Sequence, residues 1–377
     1  MTSSAVRLNH PAGDGRFESF APRQKRILQI GPYPPPGTGW SVRIKMLKRY
    51  LERAGHLCVV LNTNKNRRQK SEEFVAVHNG LDYVWKVLKY CARGFLVHVH
   101  LNGKSTKSPI LALAAEIISL LFGRRAVLTF HAGPVQDYFP KQKKFWIDFP
   151  FRLIFLLAGK IICNNGAVKA RIVEYGIRPE KIVPIPAFCP QYLEDKAELP
   201  AEIKKFISRH QPVASSYIYL RPDFKIDFLL QGLRALRRQL PRLGVIFIGA
   251  YHETAALNQL LRAQGLAENS FIAGDLDHGD FLATLAASHV YIRTPVVDGN
   301  SSSVLEALGL GTAVVASENG SRPEGVMTYQ DGSVVDFVEK MQAALAHRVE
   351  RNDSTRRLPE IRDTLQEEIA LLVQEAR

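Results

Sequence analysis

The chain has 377 residues, of which 46% are hydrophobic and 9% aromatic, so it can bury a large core, and its length suits two globular domains. No run of about 18 uninterrupted apolar residues occurs, so we expect no membrane-spanning helix. The net charge of +14 is concentrated in the first half: residues 1–195 hold 30 Lys and Arg against 13 Asp and Glu, and residues 196–377 hold 20 against 23.

Residues 1–24 lack the apolar centre of a signal peptide, which predicts a disordered lead-in and a cytoplasmic protein. The four cysteines are widely separated and form no CxxC pair. This spacing favours reduced, buried thiols over a disulfide framework or a zinc site, and we expect neither a metal nor a cofactor.

Short apolar runs alternate with helical segments over the first half of the chain. The runs predict buried strands at residues 26–30, 57–61, 95–100, 126–130, 160–163 and 181–186. The apolar stretch 109–123 carries Glu116 and is interpreted as a buried helix. Alternation of this kind is typical of βαβ units, so we expect a parallel sheet covered by helices.

The same alternation restarts after residue 195. Strands are predicted at residues 217–220, 245–249, 270–274, 290–294 and 313–317, and the acidic, proline-bounded segment 189–202 is the expected hinge. The predicted fold is therefore α/β, with two facing, doubly wound Rossmann-like domains at residues 25–195 and 196–350. A C-terminal helix within 351–377 is expected to pack back on the first domain. Ligands of such sheets bind beyond the carboxyl ends of the strands, which predicts a site in the interdomain cleft.

Two features of the first domain follow predicted strands. The loop 31–41 contains Gly37 and Gly39 and leads into a helix whose first amides can face an anion; a plain structural turn is the alternative. His131 ends another strand, beside a flexible turn. His98 and His100 share one face of a third strand, and a hydrogen-bonded pair is favoured over a metal pair because no third ligand has suitable spacing.

In the second domain, the stretch DGNSSSVLE (298–306) lies between a predicted strand and a helix. Ser303 and Glu306 fit a capping box, in which the glutamate only stabilises the helix start. The functional alternative is that the Glu306 carboxylate accepts hydrogen bonds from paired hydroxyls, as an acid does from a ribose diol. The amides after Ser301 and Ser302 would then suit a phosphate.

Together these segments resemble the family 4, or group 1, glycosyltransferases, which are retaining enzymes of the GT-B fold. The acid pair Asp298 and Glu306 matches the spacing of the family's E-x7-E element, and the strand 126–130 with its terminal His131 and the segments 27–42, 174–188 and 317–326 are also similar. The resemblance implies transfer of a sugar from a nucleotide-sugar donor, in bacterial polysaccharide or glycolipid synthesis.

The resemblance also implies roles for individual residues. Glu306 would bind the ribose, and Asp298 would lie near the transferred sugar. Asn300, Ser301 and Ser302 would offer amides to the sugar and diphosphate, with His131 beside the sugar's reacting face. The loop around Gly37 and Gly39 would close over the diphosphate. Arg221 and Lys225 are the candidates for neutralising the leaving diphosphate, although their spacing is one residue shorter than the family pattern.

Two alternatives stay open at this point. Asp298 replaces the usual glutamate and Asn300-Ser301 the usual Phe-Gly, so a degenerate, non-catalytic binding protein is one alternative. The other is a nucleotide-sugar epimerase on the same fold, against which the glycine loop and His131 argue.

The basic first half suggests the acceptor. Lys141, Lys143 and Lys144 stand beside Trp146 and several phenylalanines, a pattern typical of an interfacial segment, with an ordinary buried helix as the alternative. We therefore expect peripheral attachment to the inner face of an anionic membrane, and a glycan or lipid-diphosphate-linked acceptor. Solubility alone is the other explanation of the charge. Nucleic acid is not expected, because no recognition helix, zinc finger or RNA-binding aromatic motif is present.

Overall fold

The computed structural model describes residues 24–35, 37–103, 107–133, 138–142, 144–297, 301–320, 322–346 and 362–376. Three of the predicted site residues, Asp298, Asn300 and Lys143, lie outside the described residues. So do the predicted lead-in up to residue 23 and the predicted domain boundary at residue 350.

The first domain is a parallel six-stranded sheet in the order β2-β1-β3-β4-β5-β6. Its strands are β1 (Arg26–Gly31), β2 (Leu57–Asn62), β3 (Leu96–Leu101), β4 (Val127–Phe130), β5 (Lys160–Cys163) and β6 (Ile182–Pro184). The connecting helices are α1 (Gly39–Arg53), α2 (Gly80–Ala92), α3 (Lys107–Leu121), α4 (Phe145–Leu157) and α5 (Gly166–Val173). The predicted strands of this domain are confirmed to within one or two residues at most ends.

The second domain is also a parallel six-stranded sheet, in the order β12-β11-β10-β7-β8-β9. Its strands are β7 (Val213–Ile218), β8 (Gly244–Gly249), β9 (Ser270–Gly274), β10 (Val290–Arg293), β11 (Ala313–Ser317) and β12 (Val326–Tyr329). Its helices are α6 (Ala201–Arg209), α7 (Ile226–Gln239), α8 (Thr254–Ala263), α9 (His278–Ala287), α10 (Ser302–Gly309) and α11 (Val334–Ala346). Both domains are doubly wound, as predicted.

In this domain one strand prediction was wrong, and one strand was not predicted. The strand predicted at 217–220 lies at Val213–Ile218. The prediction began too late because Ser215 and Ser216 are of a type that favours loops, although both are buried in the strand. The short strand Val326–Tyr329 was not predicted, since it has only four residues and follows the stretch 317–325, which is rich in Gly, Ser and Pro.

The N-terminal sheet has different layers on its two faces. Helices α2, α3 and α4 pack side by side and contribute to one apolar cluster with strand residues such as Leu128 and Val97. On the other face, α1 packs with the chain's last helix, α12 (Thr364–Glu375), whose Leu365 and Leu372 are fully buried there. The structure thus places α12 on the N-terminal domain.

The two domains are in contact. The segment between them forms a short 3-10 helix, Pro190–Asp195, that touches both α9 and α10. Leu305 of α10 packs against the cluster formed by α1 and α12. This contact sets the helix that carries Glu306 directly opposite the N-terminal domain. None of the helices in the described part of the chain combines the length and the apolarity that crossing a bilayer requires.

Candidate active site

The candidate site lies where the strand order of each sheet reverses. In the first sheet β1 and β3 are neighbours and their helices lie on opposite faces, and in the second sheet the same is true of β7 and β10. Chains that leave such neighbouring strands in opposite directions open a crevice at the carboxyl edge. The loops after β1, β4, β7 and β10 all reach the interdomain cleft.

The cleft encloses a cavity of about 330 Å³ and is lined by both domains. From the first domain come Gly37, Thr38, Gly39, Val42, His131, Gly133 and Asn164; from the second come Tyr217, Tyr219, Arg221, Phe224, Ile248, Leu276, His278, Phe281, Arg293, Val297, Ser301, Ser302, Ser303 and Glu306. The structure therefore brings His131, Glu306, Arg221, Ser301, Ser302 and both loop glycines together.

Glu306 is buried to 4% exposure, and its carboxylate is held by a histidine. His278, the first residue of α9, has its Nε2 2.9 Å from Glu306 Oε1. Since a carboxylate oxygen accepts, this ring nitrogen donates. Tyr192 packs edge-on against the ring of His278, with the ring centroids 5.8 Å apart. The carboxylate is thus fixed in direction beside the cavity.

The capping-box interpretation of Glu306 is wrong. Helix α10 begins at Ser302, its N-cap is Ser301, and no side chain caps it. Ser303 therefore lies inside the first turn, where its hydroxyl accepts from Tyr291 Oη at 2.7 Å. Because the Glu306 carboxylate faces His278 and the cavity rather than the helix start, its burial has no explanation in helix capping.

The two candidate cations of the second domain have different positions. Arg221 lines the cavity, with its guanidinium over the rings of Tyr219 and Phe224 at 5.3 and 5.1 Å and a hydrogen bond to Asp223. Lys225 is not among the residues that line the cavity, and its ammonium pairs with Asp331.

A second cavity-lining cation comes instead from β10. Arg293 is 9% exposed and stacks over the Phe224 ring at 5.3 Å. It ends a predicted strand, where nothing in its local sequence separates it from an ordinary strand residue. Arg221 and Arg293 therefore both contact Phe224, the first from the loop after β7 and the second from the end of β10.

The glycine loop comes close to the opposite domain. Helix α1 begins at Gly39 with Thr38 and Ser41 forming a capping box. A Cβ at Gly39 would lie 3.0 Å from Ser302 Oγ, so a side chain there would press on the start of α10, whereas a Cβ at Gly37 would meet no atom within 4 Å. Gly39 thus permits close approach across the cleft, and Gly37 leaves room at the cavity wall.

His131 belongs to a cluster of buried polar side chains. Its Nε2 lies 2.9 Å from His100 Nδ1, and His100 Nε2 lies 3.0 Å from Gln29 Oε1. His98 Nε2 lies 2.7 Å from Thr129 Oγ1. Burial lowers the pKa of His98 to about 4 and that of His131 to about 3, and holds the pKa of His100 well below its ordinary value. His98 and His100 are thus buried and hydrogen-bonded, as favoured, but to Thr129 and to His131 and Gln29 rather than to each other, and their rings pack together.

An ion pair with α12 lies beneath this cluster. Arg43, fully buried on α1, bonds Glu368 of α12 at 2.6 Å, and Thr129 Oγ1 donates to the other carboxylate oxygen at 3.0 Å. Burial alone would raise the pKa of Glu368, but Arg43 and His98 outweigh it and lower that pKa. Arg43 therefore belongs to the core rather than to the basic surface of α1.

The described residues that were predicted to meet a membrane lie on the surface and not in the wall of the cavity. Lys141, Lys144 and Trp146 are exposed at the start of α4, and Trp146 is 74% exposed. None of the three is among the residues that line the cavity. The four cysteines are all free and buried.

Two family models match the chain. Residues 37–189 match the glycosyltransferase family 4 model, and residues 202–361 match the glycosyl transferases group 1 model. One model covers each sheet domain, and together they span most of the chain. The chain belongs to the group 1 glycosyltransferases of family 4. The expected family is confirmed.

Solved structures agree on the GT-B fold of this glycosyltransferase. Anabaena HepE in complex with UDP-glucose is 16% identical, with a TM-score of 0.66 over 93% of this chain and 95% of that one. Sucrose-phosphate synthase from Thermosynechococcus elongatus is 14% identical, with a TM-score of 0.65 over 93% and 96%. A UDP-N-acetylglucosamine 2-epimerase, 10% identical, has a TM-score of 0.58 over 87% and 89%. No curated protein matches the chain by sequence.

Proposed function

We propose that this glycosyltransferase moves a sugar from a nucleotide-sugar donor, with retention of configuration, to a glycan or lipid-diphosphate-linked acceptor at a membrane surface. The main support for a nucleotide-sugar donor is the buried Glu306 carboxylate, which accepts from His278 at 2.9 Å beside the cavity. A carboxylate so placed suits a ribose diol. The solved Anabaena relative with UDP-glucose supports the same class of donor.

The leaving diphosphate needs positive charge, and two arginines can supply it. Arg221 and Arg293 both line the cavity. Arginine offers a planar fork that matches phosphate oxygens, and donors fixed before reaction stabilise developing charge without a metal. We assign Arg293 the role that the resemblance gives to Lys225, because Lys225 is paired with Asp331. Ser301 and Ser302 add the amides at the start of α10.

Thermal unfolding with UDP, GDP, ADP and their sugars tests the donor proposal. A ligand at a hundred times its dissociation constant stabilises the folded protein by about 2.7 kcal/mol, so one nucleotide series should raise the melting temperature. The Glu306→Ala variant is the matched control and should lose that shift. Absence of a shift with every nucleotide would support the degenerate alternative.

Two product analyses test the reaction itself. Release of a free epimerised nucleotide-sugar would support the epimerase, and NMR of the product's anomeric centre tests retention.

The membrane half of the proposal rests on one face of the N-terminal domain. Of thirteen exposed large hydrophobic side chains in the described part of the chain, eleven lie on α2, α3 and α4 or directly after α3. They are Leu81, Trp85, Leu88, Ile110, Ile117, Leu121, Phe122, Phe145, Trp146, Phe149 and Leu156. We call these residues the three-helix face. Soluble monomers rarely expose so much contiguous apolar surface without a partner.

The charges around the three-helix face favour an anionic bilayer as the surface that covers it. The three acids of these helices are paired or buried: Asp82 pairs with Lys86, Asp148 accepts two backbone amides, and burial raises the pKa of Glu116 well above its ordinary value. The cations Lys89, Arg93, Arg125, Lys141, Lys144 and Arg152 lie on these helices or the adjoining loops, most of them exposed. Apolar side chains ringed by cations are typical of interfacial helices.

The three-helix face also adjoins the cleft. In a parallel sheet each helix begins near the carboxyl end of the preceding strand, so Leu81, Ile110 and Trp146, at the starts of their helices, lie toward the edge where the cleft opens. An acceptor anchored in the bilayer would meet the cleft from that edge.

Sedimentation with phosphatidylcholine vesicles, with and without an anionic lipid, tests the surface. The protein should bind the anionic vesicles, less so at high salt, and Trp146→Glu with Leu81→Glu should abolish binding. Val335→Glu is the matched control, since Val335 is 70% exposed on the C-terminal domain. A dimer in solution that these two substitutions dissociate, without vesicle binding, would instead make the face a contact between copies.

A further inference from the structure

The cleft histidine, His131, is held from behind by a second histidine and a glutamine. His131 Nε2 lies 2.9 Å from His100 Nδ1, and the other nitrogen of His100 lies 3.0 Å from Gln29 Oε1. Gln29 is fully buried and His100 is 5% exposed, whereas His131 is partly exposed and lines the cavity. Gln29, His100 and His131 therefore form a hydrogen-bonded row that runs from the sheet interior to the cleft.

The chemistry of the row fixes the position of each proton. Gln29 Oε1 is a carbonyl oxygen and only accepts, so His100 Nε2 must carry a proton and donate it. In a neutral imidazole the other nitrogen, His100 Nδ1, is then an acceptor. His131 Nε2 must accordingly donate to it, which leaves the lone pair of a neutral His131 on Nδ1.

We infer that Gln29 and His100 are positioning residues that hold His131 as the neutral Nε2–H tautomer, so that it meets a ligand in the cleft through Nδ1 as a hydrogen-bond acceptor. The part that concerns the ligand rests on the proposed function. On that function, the transferred sugar must offer a hydroxyl proton at this point, and a donor deoxygenated there would lose the contact.

Three observations hold the row in this direction. The amide of Gln29 is oriented by its own Nε2, which donates to Cys58 Sγ at 3.3 Å. The rings of His100 and His131 are nearly parallel, 17° apart, and the His100 ring also packs against the His98 ring with centroids 4.2 Å apart, so it has little room to turn. Burial also disfavours the doubly protonated form of each ring, since it lowers the pKa of both histidines.

NMR of the full-length protein labelled with 15N-histidine tests the tautomer without any ligand. The nitrogen shifts of a neutral ring distinguish the protonated from the unprotonated nitrogen, and a His131→Gln spectrum assigns the resonances. The inference expects a protonated Nε2 and an unprotonated Nδ1 at neutral pH. A protonated Nδ1 on His131 would overturn it.

Substitutions at His100 separate positioning from packing. His100→Leu removes the acceptor and should leave His131 in a mixture of tautomers, whereas His100→Asn, whose amide oxygen can replace Nδ1, should restore the Nε2–H form. His98→Asn is the matched control: it alters a buried histidine two residues away on the same strand, whose hydrogen bond goes to Thr129 instead. A tautomer shift in His98→Asn equal to that in His100→Leu would contradict the assignment.

Binding then tests the ligand contact. His100→Leu should weaken the nucleotide-sugar about fivefold, as expected for one neutral hydrogen bond, and leave the nucleotide diphosphate alone unchanged. Equal weakening of both would overturn the sugar contact. If neither ligand binds the unsubstituted protein, the proposed function fails, while the NMR result on the tautomer stands or falls separately.

Discussion

The two domains of this glycosyltransferase build their sides of the cleft in different ways. The N-terminal domain places uncharged or internally paired polar groups beneath its cleft residue: Gln29, His98 and His100 are buried, and the nearest charges, Arg43 and Glu368, neutralise each other. The C-terminal domain presents charge at the cleft itself, through Arg221, Arg293 and Glu306, over a core cluster that is apolar. One side orients a neutral group, and the other supplies charge.

The exteriors differ as well. The first half of the sequence carries an excess of 17 positive charges, and the second half an excess of three negative charges. The large exposed apolar side chains are likewise concentrated on the N-terminal domain. On the proposed function, the N-terminal domain would both orient the reaction and meet the acceptor, and the C-terminal domain would hold the donor.

The largest effect should come from the charge side of the cleft. Glu306→Ala removes an acceptor for two ribose hydroxyls, and hydrogen bonds to a charged group are each worth roughly 1.5–3 kcal/mol, so donor binding should fall at least a hundredfold. Transfer should be lost with it. Because Glu306 caps no helix but accepts a hydrogen bond from His278, the free energy of unfolding without ligand should fall by only about 1–3 kcal/mol, the cost of leaving that ring nitrogen unpaired. Calorimetric titration and urea unfolding measure the two quantities, and an unfolded variant would point to a structural role.

On the neutral side, substitution of Glu368 should lower the free energy of unfolding of the N-terminal domain. Glu368→Ala leaves Arg43 buried and unpaired, and breaking a buried ion pair from one side costs about 3–5 kcal/mol. The N-terminal domain should therefore be destabilised far more than its neighbour. All three tryptophans, Trp40, Trp85 and Trp146, belong to this domain, so their fluorescence in urea measures it alone.

A double substitution is the control for that prediction. Arg43→Met with Glu368→Leu removes both charges and should recover most of the lost stability, because similar apolar replacements of buried pairs are often neutral. A double variant as unstable as Glu368→Ala would show that the loss comes from the missing contacts of these two side chains, such as the hydrogen bonds of Arg43 to Thr364, rather than from an unpaired buried charge.

Sequence patterns predicted the fold and about a third of the residues that line the cavity, seven of 21. Gly37, Gly39, His131, Arg221 and Glu306 all follow strands, and the carboxyl edge of a parallel sheet gathers such residues. The pairing of Arg43 with Glu368 spans 325 residues and leaves no local trace.

The missed cleft residues are of a different kind. His278 begins helix α9 after an ordinary loop, and Arg293 ends strand β10. Only the packing of the folded chain shows that both residues face the cleft. The capping box failed because the helix begins two residues earlier than the motif required, with Ser301 rather than Ser303 at the N-cap.

The two candidate cations sharpen the comparison on the charge side. Arg293→Met should weaken nucleotide-diphosphate binding by about 1.5–3 kcal/mol, roughly ten- to a hundredfold, because a charged hydrogen bond is lost. Lys225→Met is the matched control, and its effect should be small since its ammonium pairs with Asp331 outside the cavity lining. Calorimetric titration with the nucleotide identified by thermal unfolding decides between them. A larger loss in Lys225→Met would return the role to the lysine.

The most gradual effect is the pH dependence of the stability of the neutral side, which is spread over pH 6.5 to 4. His98 and His131 have pKa values lowered by burial to about 4 and about 3, below the value of about 6.5 for an exposed histidine, and the pKa of His100 is lowered too. Between pH 6.5 and 4 the unfolded chain therefore binds more protons than the folded one, so the free energy of unfolding falls as the pH falls. Each histidine contributes a slope of up to about 1.4 kcal/mol per pH unit in that window. Urea unfolding followed by tryptophan fluorescence should show the slope, and His98→Asn should reduce it by about one histidine's share. A stability that stays level from pH 6.5 to 4 would mean that these rings take up protons in the folded domain, and the contrast between a neutral and a charged side of the cleft would fail.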